Sequence, residues 1–407
     1  MLDVILICSR RKVRKTVGSI CLIAGTAIGA GMVALPMTMA KLGLFQSFAL
    51  MLVIWFAMYY SALINIELNL RADEGLSLGR LGKLFSGIGS YLVGDISLML
   101  LCYSLLSAYI YGCSSTIVAL LATFSIQSDH ITVTMVYSAI VLLILSFSIH
   151  KVDSFNQALF LIMLIVIGLF IAALICGVDL GMLPMIAPIN IASWNIAIPV
   201  LFTSFGFQVI FHTLTTYCNK DAKKLRIVFF WGSLIPAIVY TIWITCTLGV
   251  LYKANHDFFN CLISGQGVEV GDFIDALGEA AGVGVMKALA WIISILAIFT
   301  STIGVGLGLI DILKCQIIKH KPPHVLMVAC AILPAAFVAL IVPNAFIHAL
   351  SFAGMILAVI AIILPVYLHW KSKEMGRFYD ITHNISLQVL IVMIAIIIII
   401  CEINNLT

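Results

Sequence analysis

The feature that most constrains this chain is a series of eleven long apolar stretches, at about 17–40, 44–66, 88–124, 131–149, 155–178, 196–217, 225–252, 284–313, 324–343, 346–370 and 386–403. Each has the length of a membrane helix, which needs roughly 20 apolar residues to cross the hydrocarbon. Only 10% of the residues are charged and 63% are hydrophobic, whereas a soluble domain carries about 25% charged residues. The chain reads as a polytopic, all-α membrane protein whose solvent is the lipid bilayer.

The loops test the count. With the amino terminus in the cytoplasm, every lysine and arginine except Lys41, Lys253 and Lys287 falls on the cytoplasmic side. Lysine and arginine bias sets orientation, and a wrong span count would scramble the alternation. The carboxyl terminus is then expected outside, in the periplasm for a bacterial inner membrane. The run Arg10-Arg11-Lys12-Val13-Arg14-Lys15 before the first stretch has the charge of a secretory signal, but that stretch is too long and no clean cleavage site follows. Basic residues lie in short clusters between spans, which gives no reason to expect nucleic acid. The 11 cysteines, among them Cys21, Cys102, Cys176 and Cys246, lack metal or disulfide spacing and read as small core hydrophobes. There is no paired-histidine or nucleophile set of an intramembrane enzyme and no filter loop of a channel. Neither enzyme activity nor a cofactor nor a metal is expected.

The first stretch contains Gly25-Thr26-Ala27-Ile28-Gly29-Ala30-Gly31, followed by Pro36. Each glycine inside a helix costs on the order of 1 kcal/mol relative to alanine. Backbone groups freed at membrane depth are tolerated where protein or a watery cavity satisfies them. A broken helix lining a solute site fits this segment, and so does close helix packing through Gly25-xxx-Gly29. The arrangement of the whole chain separates the two readings. Five spans precede an external loop at 179–195 containing Pro184 and Pro188, and a second set of five follows. Because five is odd, the second set enters the membrane from the opposite side, as in inverted-repeat transporters. That scheme requires a break in the sixth span, where Pro199 and Thr203-Ser204-Phe205-Gly206-Phe207-Gln208 stand. Packing alone has no reason to repeat at corresponding places. The expected organisation is a cytoplasmic basic terminus at 1–16, repeats at 17–178 and 196–370, and an eleventh helix at 386–403.

Polar stripes accompany the breaks. Tyr103, Ser107, Tyr111 and Ser115 recur every four residues in the third span, and Gln208, His212 and Thr216 do so in the sixth. The eighth span carries Thr300-Ser301-Thr302. Such residues also bond simply to neighbouring helices. Glu67, Asp95 and Asp311 lie near inner span ends and His212 alone among histidines lies well inside a span. Ionisable groups in spans are functional candidates, but for Glu67 capping, snorkelling or pairing with a nearby base is the preferred reading. Asp311 has Lys314 at a pairing distance of three residues. In the external segment 255–282, Gly271-Asp272-Phe273-Ile274-Asp275-Ala276-Leu277 predicts a short amphipathic helix with Phe273, Ile274 and Leu277 on one face, placed to act as an outer lid.

Ala24-Gly25-Thr26-Ala27-Ile28-Gly29-Ala30-Gly31-Met32 with Leu35-Pro36 resembles the first-helix signature of the bacterial hydroxy/aromatic amino acid permeases, within the amino acid/polyamine/organocation superfamily. Thr203-Ser204-Phe205-Gly206-Phe207 is similar to that family's sixth helix, and Thr300 to Asp311 to its eighth, with departures at Thr302, Gly306 and Ile310. The match is nearest the tyrosine-specific branch and covers almost the whole chain. The resemblance implies a leucine-transporter-like 5+5 inverted repeat plus an eleventh helix. It also implies aromatic amino acid uptake, tyrosine first, by proton symport with alternating access. Main chain around Gly25, Thr26, Ala27, Gly29, Gly31 and at Ser204 to Gly206 would then hold the amino acid's charged ends. Phe205 and Phe207 would stack on its ring, with Tyr103 or Ser107 contributing from the third helix. For coupling, the family places an acid at Asp311, and His212 follows by its depth. The hydroxyls of Thr300, Ser301 and Thr302 suit sodium, so a sodium-coupled or tryptophan-preferring symporter of the same fold is the alternative.

Overall fold

In a computed structural model the chain is described over residues 16–175, 188–264, 268–282, 284–316, 323–342 and 344–406, and every described regular element is a helix. The basic run at 10–15, Pro184 with the loop residues around it, Lys319 and Lys321 lie outside the described residues. The first span is two helices, α1 (Thr16–Ala27) and α2 (Gly31–Met39), bent by 55° at their junction. There follow α3 (Leu44–Arg71), the short α4 (Leu78–Ser86), α5 (Ile88–Thr123), α6 (His130–Leu145) and α7 (Ile149–Ile175). The next group is α8 (Ile191–Ser204), α9 (Phe211–Tyr217), α10 (Ala222–Ala254), α11 (His256–Ser264) and α12 (Val270–Ala280). The chain closes with α13 (Gly284–Gln316), α14 (His324–Ile341), α15 (Ala345–Ala358), α16 (Leu364–Lys371) and α17 (Ile385–Leu406).

Eight of these helices are long and apolar enough to cross a membrane, counting α15 and α16 as one, and the bent α1–α2 pair makes a ninth. The expected fourth and sixth spans are occupied by the shorter apolar helices α6 and α8. Their limits are local. Asp129 caps α6 by accepting the Thr132 N–H at 3.3 Å, and Asn190 caps α8 by accepting that of Ala192 at 3.0 Å. Short side-chain oxygens satisfy amides that a helix start leaves free. At its other end α8 stops at Ser204, the expected break, and a 3₁₀ turn at Gln208–Ile210 leads into α9.

Helix α5 is the axis of the packing, touching α4, α6, α12, α13, α14 and α15, while α2 lies against α8 and α10. Burial separates core from rim. The most apolar window of α15–α16 is 72% buried and that of α7 only 22%, so α7 presents its side chains to lipid. Glycine sets one tight contact: a Cβ on Gly354 of α15 would lie 2.3 Å from the Pro199 carbonyl oxygen of α8. Between α15 and α16 a π-turn at Val359–Ile363 exposes the Ala361 carbonyl, which accepts from the Ser61 hydroxyl and from Asn65 Nδ2 at 3.3 Å, both on α3. Polar side chains of a neighbouring helix thus repair the irregular turn, as hydrocarbon requires.

Candidate functional site at the two helix breaks

The breaks in the first and sixth spans meet. A Cβ on Gly31 would lie 2.5 Å from Ser204 Oγ and 3.1 Å from Ser204 Cα, so the start of α2 touches the end of α8 main chain to main chain. Gly29 stands where a Cβ would lie 2.5 Å from Ser301 Oγ of α13. The Ala30 N–H, freed by the break, donates to that same Ser301 oxygen at 3.1 Å. Around the bend the ladder tightens to three-residue bonds, Met32 N–H to Gly29 and Val33 N–H to Ala30. Gly25 is less confined, since its Cβ would meet only the Phe160 ring at 2.8 Å.

Carbonyls are freed as well. The last carbonyl of α1, at Ala27, and the last of α8, at Ser204, both lie beside the Tyr240 hydroxyl of α10, at 2.6 and 2.8 Å. Tyr240 is fully buried, and Phe205 packs edge-on against its ring with centroids 5.7 Å apart. The structure therefore gathers Ala27, Gly29, Gly31, Ser204, Phe205 and Ser301 at one place.

Other predicted site residues point elsewhere. Thr26 donates to its own helix at Leu22, and Ser107 to Tyr103. The Tyr103 hydroxyl reaches the Cys330 carbonyl on α14 at 2.8 Å. Phe207 is buried against Phe211 and Phe229, and Gly206 follows α8 in the turn, half-buried. Thr300, Ser301 and Thr302 each donate back into α13, and Thr302 also meets the Tyr137 hydroxyl at 3.0 Å. Asp311 is exposed and 3.7 Å from Lys314. His212 lies on α9, and its side chain is outside the described residues.

The upper half of the third-span stripe serves the external segment instead. Glu269 accepts from the Tyr111 hydroxyl at 2.6 Å and the Ser115 hydroxyl at 3.3 Å. A Cβ on Gly271 would lie 2.5 Å from the Ser115 carbonyl oxygen, which fixes α12 directly on α5. Phe273, Ile274 and Leu277 are fully buried, so the predicted amphipathic helix forms and docks its apolar face. Lys287, one of the three basic residues outside the expected cytoplasmic set, pairs with Asp275 at 2.8 Å and Glu279 at 3.2 Å on that helix.

A second polar cluster closes the end of the molecule where α3 finishes. Glu67 Oε1 accepts from Arg71 at 2.8 Å, from His383 Nε2 at 3.0 Å and from the Phe378 N–H at 3.4 Å, and Oε2 accepts from the Thr382 hydroxyl. Arg71 donates onward to the Gly376 and His369 carbonyls and to Ser372 Oγ. Segment 372–384 is thereby strapped to α3, and the Tyr379 hydroxyl extends the strap to the Ala222 carbonyl at 2.6 Å. Burial, and after it the Glu67 charge, pushes the Tyr379 phenol up, which keeps it a proton donor. Glu67 does pair with a nearby base, but neither side chain snorkels: both are fully buried. His369 is also fully buried, so His212 is not the one histidine to consider within the helices. Glu67, His369 and His383 are metal-ligand residue types grouped within 4.8 Å. Arg71 Nη2 lies 2.8, 3.1 and 3.3 Å from their ligand atoms and takes the place of an ion. The residues do not fit a metal.

Many apolar helices, two of them broken where they cross, define the class of a multi-pass membrane carrier. The tryptophan/tyrosine permease family model matches residues 12–402, and the chain belongs to that family. A tyrosine-specific transport system of Haemophilus influenzae is 31% identical over 88% of this chain and 89% of its own length. A tryptophan-specific transport protein of Pseudomonas aeruginosa is 29% identical over 88% and 86%. A glutamine transporter of Aliivibrio fischeri is 28% identical over 91% and 92%. Membership of a permease family makes the chain a transporter and not an enzyme.

Proposed function

We propose that this protein takes up aromatic amino acids, tyrosine first, by proton symport across the bacterial inner membrane. The observation that carries the reading is the meeting of the two breaks, where Gly31 touches Ser204 and the Ala30 N–H and the Ala27 and Ser204 carbonyls, all released from their helices, lie close together. Half-helix ends suit the carboxylate and ammonium of an amino acid. Phe205, buried beside them against Tyr240, is the proposed aromatic partner of the substrate ring. The two family members named for tyrosine and tryptophan support the substrate class. The proposed architecture is the 5+5 inverted repeat, 17–178 and 196–370, with 386–403 as an eleventh helix, the amino terminus cytoplasmic and the carboxyl terminus periplasmic.

Proton coupling is favoured over sodium by how the eighth-span hydroxyls are used. Ser301 accepts the Ala30 N–H, Thr302 meets Tyr137 and Thr300 donates within α13, so all three hydroxyls are already engaged in helix contacts. Asp311, exposed beside Lys314, is the proposed proton-release group. Uptake of labelled tyrosine, tryptophan, phenylalanine and glutamine into proteoliposomes tests the whole reading. Tyrosine is expected to accumulate under an inward proton gradient and not under a sodium gradient alone. Asp311→Asn is expected to keep exchange of internal for external tyrosine while losing accumulation by the pH gradient. Preference for glutamine, or sodium-dependent accumulation, would replace the reading.

Helix α12 is proposed as an outer lid over the crossing. In this state Leu277 is fully buried. A cysteine at position 277 is expected to react slowly with external thiol reagents when substrate is present and faster without it. Equal labelling in both conditions removes the lid.

A further inference from the structure

The two carbonyls beside Tyr240 carry more than a packing contact. Ala27 ends α1 and Ser204 ends α8, and the last carbonyls of a helix have no partner within it. Each helix end bears roughly half a negative charge. Two such ends pointing at one spot, deep in protein, attract a positive charge, and transporters with broken helices use half-helix carbonyl ends to coordinate cations. Here the spot is filled by a neutral group. Tyr240 Oη stands 2.6 Å from one carbonyl and 2.8 Å from the other, and its residue is fully buried. A phenol has one proton, so the hydroxyl shares a single donor between two acceptors.

The ring is fully buried and hemmed in by its neighbours. It comes from α10, which lies tightly on α1: a Cβ at Gly232 would be 2.7 Å from the Ile23 Cβ. Phe205 closes one edge of the ring. We propose that Tyr240 is a positioning residue whose hydroxyl occupies the cation point of the crossing, tying the ends of α1 and α8 together and keeping sodium out. This inference rests on the crossing being the transport site. It deepens that reading by assigning the coupling cation's place to a fixed side-chain donor.

Tyr240→Phe removes one oxygen and keeps the ring, leaving two carbonyls facing a hole of about the size that holds one water. Wild-type tyrosine uptake is expected to be equal in potassium and sodium media. The Tyr240→Phe protein, normalised to the amount in the membrane, is expected to lose about tenfold in apparent affinity in potassium, the scale of one lost hydrogen bond in a buried site. Sodium is expected to restore a substantial part of it, because the vacated point then takes the ion. A merely structural role for the ring would show no sodium rescue. Wild-type affinity in potassium, or a loss that sodium does not relieve, overturns the proposal. So does a saturable, sodium-specific rise in the melting temperature of the wild-type protein, a measurement that stands even where the variant does not fold. Gly31→Ala in the same assay separates the two levels. If it still binds tyrosine, the crossing is not the site and both readings fall. If it does not bind while Tyr240→Phe behaves as wild type, only the role of Tyr240 falls.

Discussion

Gly31→Ala is expected to abolish tyrosine binding while leaving the protein in the membrane at near-normal amount. The methyl group would arrive 2.5 Å from Ser204 Oγ, 2.9 Å from Ser204 Cβ and 3.1 Å from Ser204 Cα. The first of these can rotate away, but the Cα cannot. Ser204 is held from behind, because its hydroxyl donates to Val200 and its carbonyl faces Tyr240. One turn earlier α8 is pressed on Gly354. Relief therefore requires α2 and α8 to part. A displacement of about 1 Å at a positioned site costs on the order of a hundredfold. Gly29→Ala meets only a hydroxyl, although one that bonds Ala30, and is expected to be intermediate. Gly25→Ala meets the half-buried Phe160 ring, which can swing, and is expected to be mildest. Equilibrium binding of labelled tyrosine to purified variants gives the order. Normal binding by Gly31→Ala would return the glycines to a role in helix packing alone.

The ranking shows what the sequence made legible. Both breaks were visible because glycine and small polar residues interrupt long apolar runs, and a local interruption leaves a local signal. The amphipathic α12 was visible for the same reason, since Phe273, Ile274 and Leu277 carry the helical period. Tyr240 left no such trace. It is one tyrosine in an apolar span, and its partners lie 36 and 213 residues away. The period-four stripe in the third span was real but not single in purpose. Its lower member, Tyr103, bonds α14, and its upper members, Tyr111 and Ser115, hold Glu269 at the start of α12. Spacing identifies a face of a helix; it does not say what the face meets. The strap over α3 was half legible. Glu67 and Arg71 stand four apart, the helical pairing distance, whereas Thr382 and His383 return from more than 300 residues along the chain.

That strap gives the other large effect. Glu67→Ala and Arg71→Met are each expected to lower stability by about 3–5 kcal/mol, because each leaves a buried charge without its partner. For Arg71→Met the stranded group is the Glu67 carboxylate, which keeps Thr382, His383 and the Phe378 N–H but loses the guanidinium. For Glu67→Ala it is the guanidinium, still donating to the Gly376 and His369 carbonyls and to Ser372. The paired replacement Glu67→Ala with Arg71→Met removes both charges, so it is expected to be less damaging than the sum of the single changes. It does not reach wild type, because His383, the Phe378 N–H and the Gly376 and His369 carbonyls lose these partners, and each buried group left unmade costs about 1–3 kcal/mol. Thermal or denaturant unfolding of the four purified proteins in one detergent yields the coupling. Additive losses would mean that the two side chains do not act as a pair. Single losses within the range of surface substitutions would mean that water reaches the cluster and that segment 372–384 is held by its other contacts, Tyr379 to Ala222 foremost.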